Sequence, residues 1–495
     1  RFKFFSISPS VEPFDEAKYK ALMDGLECSE ILKSELEFSG RIDAEYYQKK
    51  FLQYQAAIEK HSILPLSKIA DFLIGPFGSA YDTSTYVEQS DYRYIRGQDV
   101  KPFLLQDASP RYMAEDDYDR LSKYALHAND ILVSVVGTLG NACIIQEHEV
   151  PAIFSCKSTA VKAKDVNPFY LLSYLNSKYG KSLLCRKERG AIQKGLNLDD
   201  LKTLDIPLFS DELSKNTELL ISKALDSISC AKKVYYEAEI QLRTILGSVT
   251  VSNKNHSIKT LAESFLKSSR LDAEYYQSKY DMYLAVLGKF RTTSIPEEFD
   301  VFKSTGSNYA DSISDVGVIK TKQLTNSGVN TDGIESYFTF ESCIENKSTF
   351  VINNDVVFAS MGVGSLGKVS LFSYDGDKPF VTDSTLRIYR AKKHTHVLPE
   401  VLCIFLQSAI GQELIYRYVV GSTGIINIYD DDIAKIPIPI LDGEIQKDIA
   451  EKVQNSFALR RQSKQLLEYA KQAVEMAIEQ GEDAALVWLK ERSGE

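Results

Sequence analysis

Arg41-Ile42-Asp43-Ala44-Glu45-Tyr46-Tyr47-Gln48 returns almost unchanged as Arg270-Leu271-Asp272-Ala273-Glu274-Tyr275-Tyr276-Gln277, 229 residues further on. Over the twenty residues that start at each Arg, eleven are identical. A second copy at about half the chain length means that the molecule is built twice, with two similar sites related by approximate symmetry. Such a chain most naturally reads something that is itself bipartite. The duplication continues downstream at offsets near 230. Asn129-Asp130-Ile131-Leu132 and Val136-Gly137-Thr138-Leu139-Gly140 are echoed by Asn354-Asp355-Val356-Val357 and Val363-Gly364-Ser365-Leu366-Gly367. Leu204-Asp205-Ile206-Pro207-Leu208 is echoed by Lys435-Ile436-Pro437-Ile438-Pro439. Between these islands the halves diverge, as expected of one scaffold carrying two specificities.

Each half changes character along its length. Residues 62–165 and 291–390 hold short β-type runs (Ile131–Val136, Ala142–Ile145, Val356–Phe358, Leu386–Tyr389) bounded by Gly, Asn and Asp turns. A helical segment follows each, Pro168–Leu184 and Pro399–Tyr418, with Pro near its start. A longer helix comes next. Ile221, Ile228, Tyr235 and Leu242 recur every seven residues, and Ala224, Ala231, Ala238 and Ile245 fill the second heptad position. Its counterpart near 445–478 keeps Ile449, Val453, Leu467, Ala470, Val474 and Ala477, with Arg460 and Ser463 interrupting. The small Ala seam predicts two long helices packed on each other, in an antiparallel sense; two amphipathic helices on separate cores are the alternative. A helix of about 36 residues spans roughly 54 Å at 1.5 Å per residue and could act as a ruler between two β-rich domains.

Composition restricts the function. The 495 residues are 44% hydrophobic and 25% charged, with 28 Tyr and 24 Phe, so folded domains with sizeable cores are expected. No apolar run approaches 18 residues, and Arg1-Phe2-Lys3-Phe4-Phe5 lacks the apolar core expected of a signal peptide. Opening on Arg1, the numbering is expected to begin inside a longer product. Seven cysteines are scattered without a CxxC pair, which points to reduced thiols and a cytoplasmic location. His394 and His396 have no third ligand type near them in sequence, so no metal is expected. The net charge of −10 means that any nucleic-acid contact runs through local patches or a basic partner.

No Gx4GK[ST], HExxH or GxSxG pattern occurs, so no complete active site is expected. Asn167-Pro168-Phe169-Tyr170 resembles the Asn-Pro-Pro-Tyr element of amino-methyltransferases, yet in context it reads as a helix cap and start. Binding signals are better. Gly75-Pro76-Phe77-Gly78-Ser79 could bring backbone amides to a phosphate, or form a plain turn. Tyr94-Ile95-Arg96-Gly97-Gln98-Asp99 places Arg and Gln at one turn, the residue types that pair bidentately with guanine and adenine edges. Its counterpart is Val318-Ile319-Lys320-Thr321-Lys322-Gln323. Lys178, Lys181, Arg186, Lys187, Arg189 and Lys194 form a basic run against the single acid Glu188, suited to phosphate contact. In the second half Arg417 precedes Gly421-Ser422-Thr423-Gly424, where small donors replace the basic loop.

The layout resembles the specificity subunits of type I restriction–modification systems. The residues that carry the resemblance are the Gly75–Ser79 loop with Tyr94–Asp99, the Asn-Asp strands at 129 and 354, and Gly421–Asn427 followed by Ile433 and Ile436-Pro437-Ile438-Pro439. Gln446, Ile449 and the long helix then follow, so that the resemblance covers about 60–480. It implies a mixed α/β chain with two tandem target-recognition domains joined by two long antiparallel coiled-coil spacer helices. The expected boundaries are an N-terminal helical extension at 1–40, recognition domains at 41–210 and 248–440, a central spacer helix at 211–247, and a C-terminal spacer helix and tail at 441–495. The acidic residues 1–40 lie outside the recognised pattern.

The resemblance further implies a non-catalytic chain that reads a bipartite duplex and docks two methyltransferase subunits, and through them restriction/translocase subunits. S-adenosylmethionine, ATP and Mg would sit on those partners, with no cofactor here and no membrane. Base reading is expected from Arg96, Gln98, Lys157, Lys320, Lys322 and Thr423, with Ser422 beside it. Phosphate positioning is expected from Ser79, Lys181, Arg186, Lys187, Arg189, Lys194 and Arg417. The half-site centres would lie on the order of 10–15 bp apart. Two other readings stay open: the recognition half of a type II fused or two-chain enzyme, and a duplicated protein-interaction scaffold that binds no DNA.

Overall fold

A computed structural model describes residues 14–106, 109–190, 194–247, 258–304, 309–421 and 426–493. The chain divides into two units: residues 1–223 with 465–495, and residues 224–464. The divisions fall inside the two long helices, so each unit owns one β-rich region and a stretch of both helices.

In the first unit, after helices α1 (Glu16–Met23), α2 (Lys33–Ser39) and α3 (Lys49–Ile58), the strands are β1 (Ile63–Pro65), β2 (Ala70–Ile74), β3 (Arg93–Ile95), β4 (Ile131–Ser134), β5 (Ala142–Ile144), β6 (Ala152–Phe154), β7 (Ser158–Ala163) and β8 (Asp205–Pro207). Strands β2-β7-β4-β5 form an antiparallel sheet in that order. β3 pairs in parallel with β6, and β1 pairs antiparallel with β8. β4 and β5 are buried along their whole length, which explains why Ser134 is the single polar residue in them. Helices α4 (Pro168–Asn176) and α5 (Lys178–Cys185) follow β7.

The second unit repeats this plan. Its strands are β9 (Thr292–Thr293), β10 (Phe299–Lys303), β11 (Val316–Ile319), β12 (Leu324–Thr325), β13 (Gly328–Val329), β14 (Tyr337–Phe338), β15 (Val356–Ala359), β16 (Val369–Leu371), β17 (Phe380–Thr382), β18 (Leu386–Ala391) and β19 (Ile438–Pro439). The sheet order β10-β18-β15-β16 matches the first unit strand for strand. So does the register: Leu132 lies between Ala160 and Cys143, and Val357 between Ile388 and Ser370. β17 pairs in parallel with β11, and β19 pairs with β9. The second unit adds the β12–β13 hairpin and an antiparallel β14 beside β11.

The repeated Asn-Asp pairs have a backbone cause. Asn129 and Asn354 take positive φ of 69° and 70°, the left-handed region that Asn tolerates. Their amides reach Ile145 O at 2.8 Å and Phe372 O at 2.9 Å. The carboxylates of Asp130 and Asp355 accept the amides of His127 and Ile352, each at 2.9 Å. One turn geometry thus launches the central strand of both sheets.

The helical segment expected over 168–184 breaks at Ser177, and that over 399–418 at Ser408. α4 gives way to α5, and α6 (Pro399–Gln407) to α7 (Ala409–Arg417). Both serines are extended and cap the second helix, accepting from Gly180 N and Gly411 N at 3.1 Å. At Gly180 and Gly411 a Cβ would lie 2.1 Å from the carbonyl oxygens of Tyr174 and Phe405, so only Gly lets the corner close.

The long helices α8 (Asp211–Leu246, 36 residues) and α9 (Gly443–Gln480, 38 residues) are present. Ile221, Ala224, Ala231, Tyr235, Ala238 and Leu242 are buried, as the heptads require, while Ile228 and Ile245 are half-buried. Within the second unit the two run antiparallel: Ser456 Oγ donates to Ala231 O and Ser463 Oγ to Ala224 O, both at 2.7 Å, and Gln241 Nε2 donates to Asp448 at 2.8 Å. Ser463, which interrupts the heptad in sequence, is therefore a seam residue. Its hydroxyl uses the close approach that the opposing alanines permit. Within the first unit, α10 (Glu482–Ser493) starts with Glu482 accepting from Ser210 N at 3.0 Å.

Candidate nucleic-acid interface

In the first unit several loops converge at one edge of the sheet. Gly75 lies so close to the Phe154–Ser155 backbone that a Cβ would sit 2.6 Å from it. Ser155 N donates to Ile95 O at 2.9 Å, and a Cβ on Gly97 would meet Lys157 Cβ at 2.7 Å. Lys157 O accepts from Val135 N, and Val135 O from Leu196 N, both at 2.9 Å. This backbone ladder brings the Gly75–Ser79 loop, the Arg96–Asp99 turn, Lys157 and the strand end at 135 into one rim. Ser79, Gln98 and Lys157 are exposed on it. Arg96 is already held: Nε and Nη2 reach the buried Asp99 at 2.9 and 2.7 Å, and Nη2 donates to Ser109 O at 2.9 Å. Donating to the Asp99 carboxylate raises the pKa of the Arg96 guanidinium.

The basic run is largely engaged inside its own unit. Arg186 stacks over Tyr46 at 4.0 Å and donates to Tyr46 O at 2.6 Å. Lys187 Nζ points inward to Asp200 O, Thr203 O and Thr203 Oγ1 at 3.3, 2.8 and 2.8 Å, and burial pushes its pKa down to about 8. Lys181 donates to Asn141 Oδ1 at 2.8 Å, with its pKa lowered by burial. Arg189 pairs with Asp200 at 3.0 Å, and Lys194 with Glu188. Arg189 and Lys194 stay exposed and can re-pair; Arg186 and Lys187 serve the fold as drawn.

What Arg186 holds is the repeated motif itself. Arg41 pairs with Asp43 and donates to Lys187 O and Glu188 O at 3.2 Å, while Tyr47 OH donates to Arg41 O at 3.2 Å. In the second unit Arg270 pairs with Asp272 at 2.7 Å and donates to Val419 O at 3.0 Å, and Tyr276 OH donates to Arg270 O at 3.0 Å. Arg417 stacks over Tyr275 at 4.7 Å, as Arg186 does over Tyr46. The motif that reveals the duplication is thus a clamp on the end of the second corner helix, and Arg417 belongs to it.

The second rim repeats the ladder. Asp383 N donates to Ile319 O at 3.0 Å, Ser360 N to Thr385 O at 3.0 Å, and Ile428 N to Ser360 O at 2.9 Å. Lys320 N donates to Gln323 Oε1 at 3.0 Å, as Arg96 N does to Asp99 Oδ2 at 2.9 Å. Lys320 lies 4.3 Å over the Tyr309 ring, and exposed Lys322 pairs with Glu335. Thr385 stands where the first rim has Lys157. Ser422 and Thr423 lie outside the described residues.

Residues 300–469, which contain this rim, match the family model described as the type I restriction modification DNA specificity domain. No curated protein matches the chain. Among solved structures, the type I restriction–modification S subunit from M. genitalium aligns at 11% identity and TM-score 0.39, over 84% of this chain and 95% of that one. The HsdS subunit from Thermoanaerobacter tengcongensis aligns at 12% identity and TM-score 0.27, over 85% and 97%. The specificity-domain match lies within the second repeat, and the first repeat shares the second's strand order and register.

Among the described residues no group of His, Cys, Asp and Glu is placed to hold a metal ion, and no helix is long and apolar enough to cross a membrane. His396 instead lies against the buried Glu298 at 3.1 Å. Asn167 caps α4, accepting from Phe169 N at 2.9 Å. All seven cysteines are free. Sequence reading missed the aromatic cluster of Tyr81, Tyr86 and Tyr94 behind the first rim, with Arg111 5.9 Å over Tyr86. The clustered tyrosines between 81 and 124 were its only signal.

Proposed function

We propose that this chain is the DNA-reading subunit of a type I restriction–modification complex, with each rim reading one half of a bipartite target. The observation that carries this is the pairing of one backbone ladder with two sets of side chains: Arg96, Gln98 and Lys157 on one rim, Lys320, Lys322 and Thr385 on the other. A frame built twice with different polar residues along its rim, Gln98 and Lys157 exposed on one and Lys322 on the other, is what reading two different base strings requires. The long helices space the rims and dock two methyltransferase subunits, through which restriction subunits join. Chemistry and its cofactors belong to those partners, and the complex works in the cytoplasm. An acidic chain with its basic run mostly engaged in its own fold relies on partners for much of the phosphate neutralisation. The test is modified-base sequencing of genomic DNA with and without this gene, partner genes intact. A split motif methylated in both halves and lost on deletion supports the reading; an unchanged methylome overturns it.

A further inference from the structure

The two units differ at one place behind the corner helices. In the first, Lys178 N donates to Glu475 at 2.6 Å, and Lys178 Nζ and Tyr179 OH reach Glu479 at 2.5 and 2.9 Å. Tyr179 also packs edge-on against Tyr54 at 4.9 Å. These side chains fill the groove between helix α9 and the start of α5. The buried positions Ala231, Tyr235, Ala238 and Leu242 of α8 correspond to Ser463, Leu467, Ala470 and Val474 of α9, an offset of 232 throughout. On that alignment Glu475 and Glu479 become Arg243 and Gly247 in the second unit. Lys178 and Tyr179 become Ala409 and Ile410, and Tyr54 becomes Tyr283.

Four of these five filling groups are thus replaced together while the tyrosine is kept, and the second unit has a pocket of about 390 Å³ there. Its walls are mainly apolar, with Ile240, Leu246, Tyr283, Ile404 and Ile410 among them. Two charged residues line it as well, Glu239 and Arg243, one helical turn apart on α8. Glu239 is half-buried, and burial raises its pKa. The Arg243 charge partly offsets that rise, but among the described residues neither side chain makes a hydrogen bond or a close ion pair, and a half-buried carboxylate is costly to leave without one. A mostly apolar concavity with a few convergent polar groups has the character of a small-molecule site, at a suitable volume.

We infer that this pocket binds a free amino acid, or a close zwitterionic relative, with an apolar side chain. The ammonium group meets Glu239, the carboxylate meets Arg243, and the side chain lies against Ile240, Tyr283 and Ile410. A cation alone would be repelled by Arg243 and an anion alone by Glu239; a zwitterion satisfies both. The site is a property of the second unit and does not depend on which DNA sequence the rims read.

The test is calorimetric titration of the full chain with L-leucine and L-phenylalanine, beside leucinamide and 4-methylpentanoate, which lack one charge each. Saturable binding of the amino acids is expected, weakened at least tenfold for both single-charge analogues. Glu239→Gln and Arg243→Gln should each weaken it by a similar factor. Ala409→Lys combined with Ile410→Tyr should refill the pocket and abolish it. Circular dichroism melting confirms that each variant is folded. No saturable binding to the wild type, or binding indifferent to Glu239→Gln, overturns the proposal.

Discussion

The turn at Arg96–Asp99 and the turn at Lys320–Gln323 have the same short 3-10 geometry, the same cap from the fourth side chain to the first amide, and the same place on the ladder. Their exposed surfaces differ. The first offers Gln98 and Lys157 around an Arg96 locked to Asp99; the second offers Lys322, and a Lys320 resting on Tyr309. What the two units share along these rims is backbone geometry and the clamp that holds it, and what they vary there is mainly the exposed side chains. Duplication has preserved the frame and released the side chains on its rim.

If the frames are equivalent, equivalent lesions should cost alike. Gly180→Ala and Gly411→Ala each force a Cβ into a backbone carbonyl, and each should destabilise its own unit by roughly 3–5 kcal/mol in denaturant unfolding. A large loss in one unit and none in the other would break the equivalence. Arg41→Ala and Arg270→Ala remove the clamp's charge-assisted bonds and should cost about 2–3 kcal/mol each, readable as earlier local hydrogen exchange at 186–188 and 417–419.

Lys187 sharpens the comparison because burial pushes its pKa down to about 8 in the first unit. Its folded pKa lies below its unfolded value, so folding penalises the charged form. The folded state releases its proton first, and the first unit should gain stability as pH rises from about 8 toward 10, on the order of 2 kcal/mol. Lys187→Met should lack that rise in pH-dependent unfolding. The smallest effect is expected at the helix seam, where Ser463→Ala removes one buried hydrogen bond for about 1 kcal/mol.

Much of the frame was legible because it is written in backbone-determining residues. Asn129 and Asn354 had to tolerate a left-handed turn, and the Ala seam had to admit a neighbouring helix. Arg41 and Arg270 announced a shared structure before its role was visible. The direction in which a charge points was not legible. Lys181, Arg186 and Lys187 read as a phosphate-facing run because adjacent cations usually are solvated, yet the end of α5 turns Arg186 onto Tyr46 and Lys187 onto the carbonyls at 200 and 203. The break at Ser177 was equally hidden, since a serine capping a new helix looks like one continuing the old.

The central claim is that the two rims read separate half-sites. Its most direct test is to sequence the methylome of cells carrying Gln98→Ala or Lys322→Ala in place of the wild-type chain. Each substitution is predicted to relax the motif in one half only, a different half for each, with the other half and the spacing intact. Relaxation of both halves by either variant, or a continuous motif without an unspecified gap, would contradict the account.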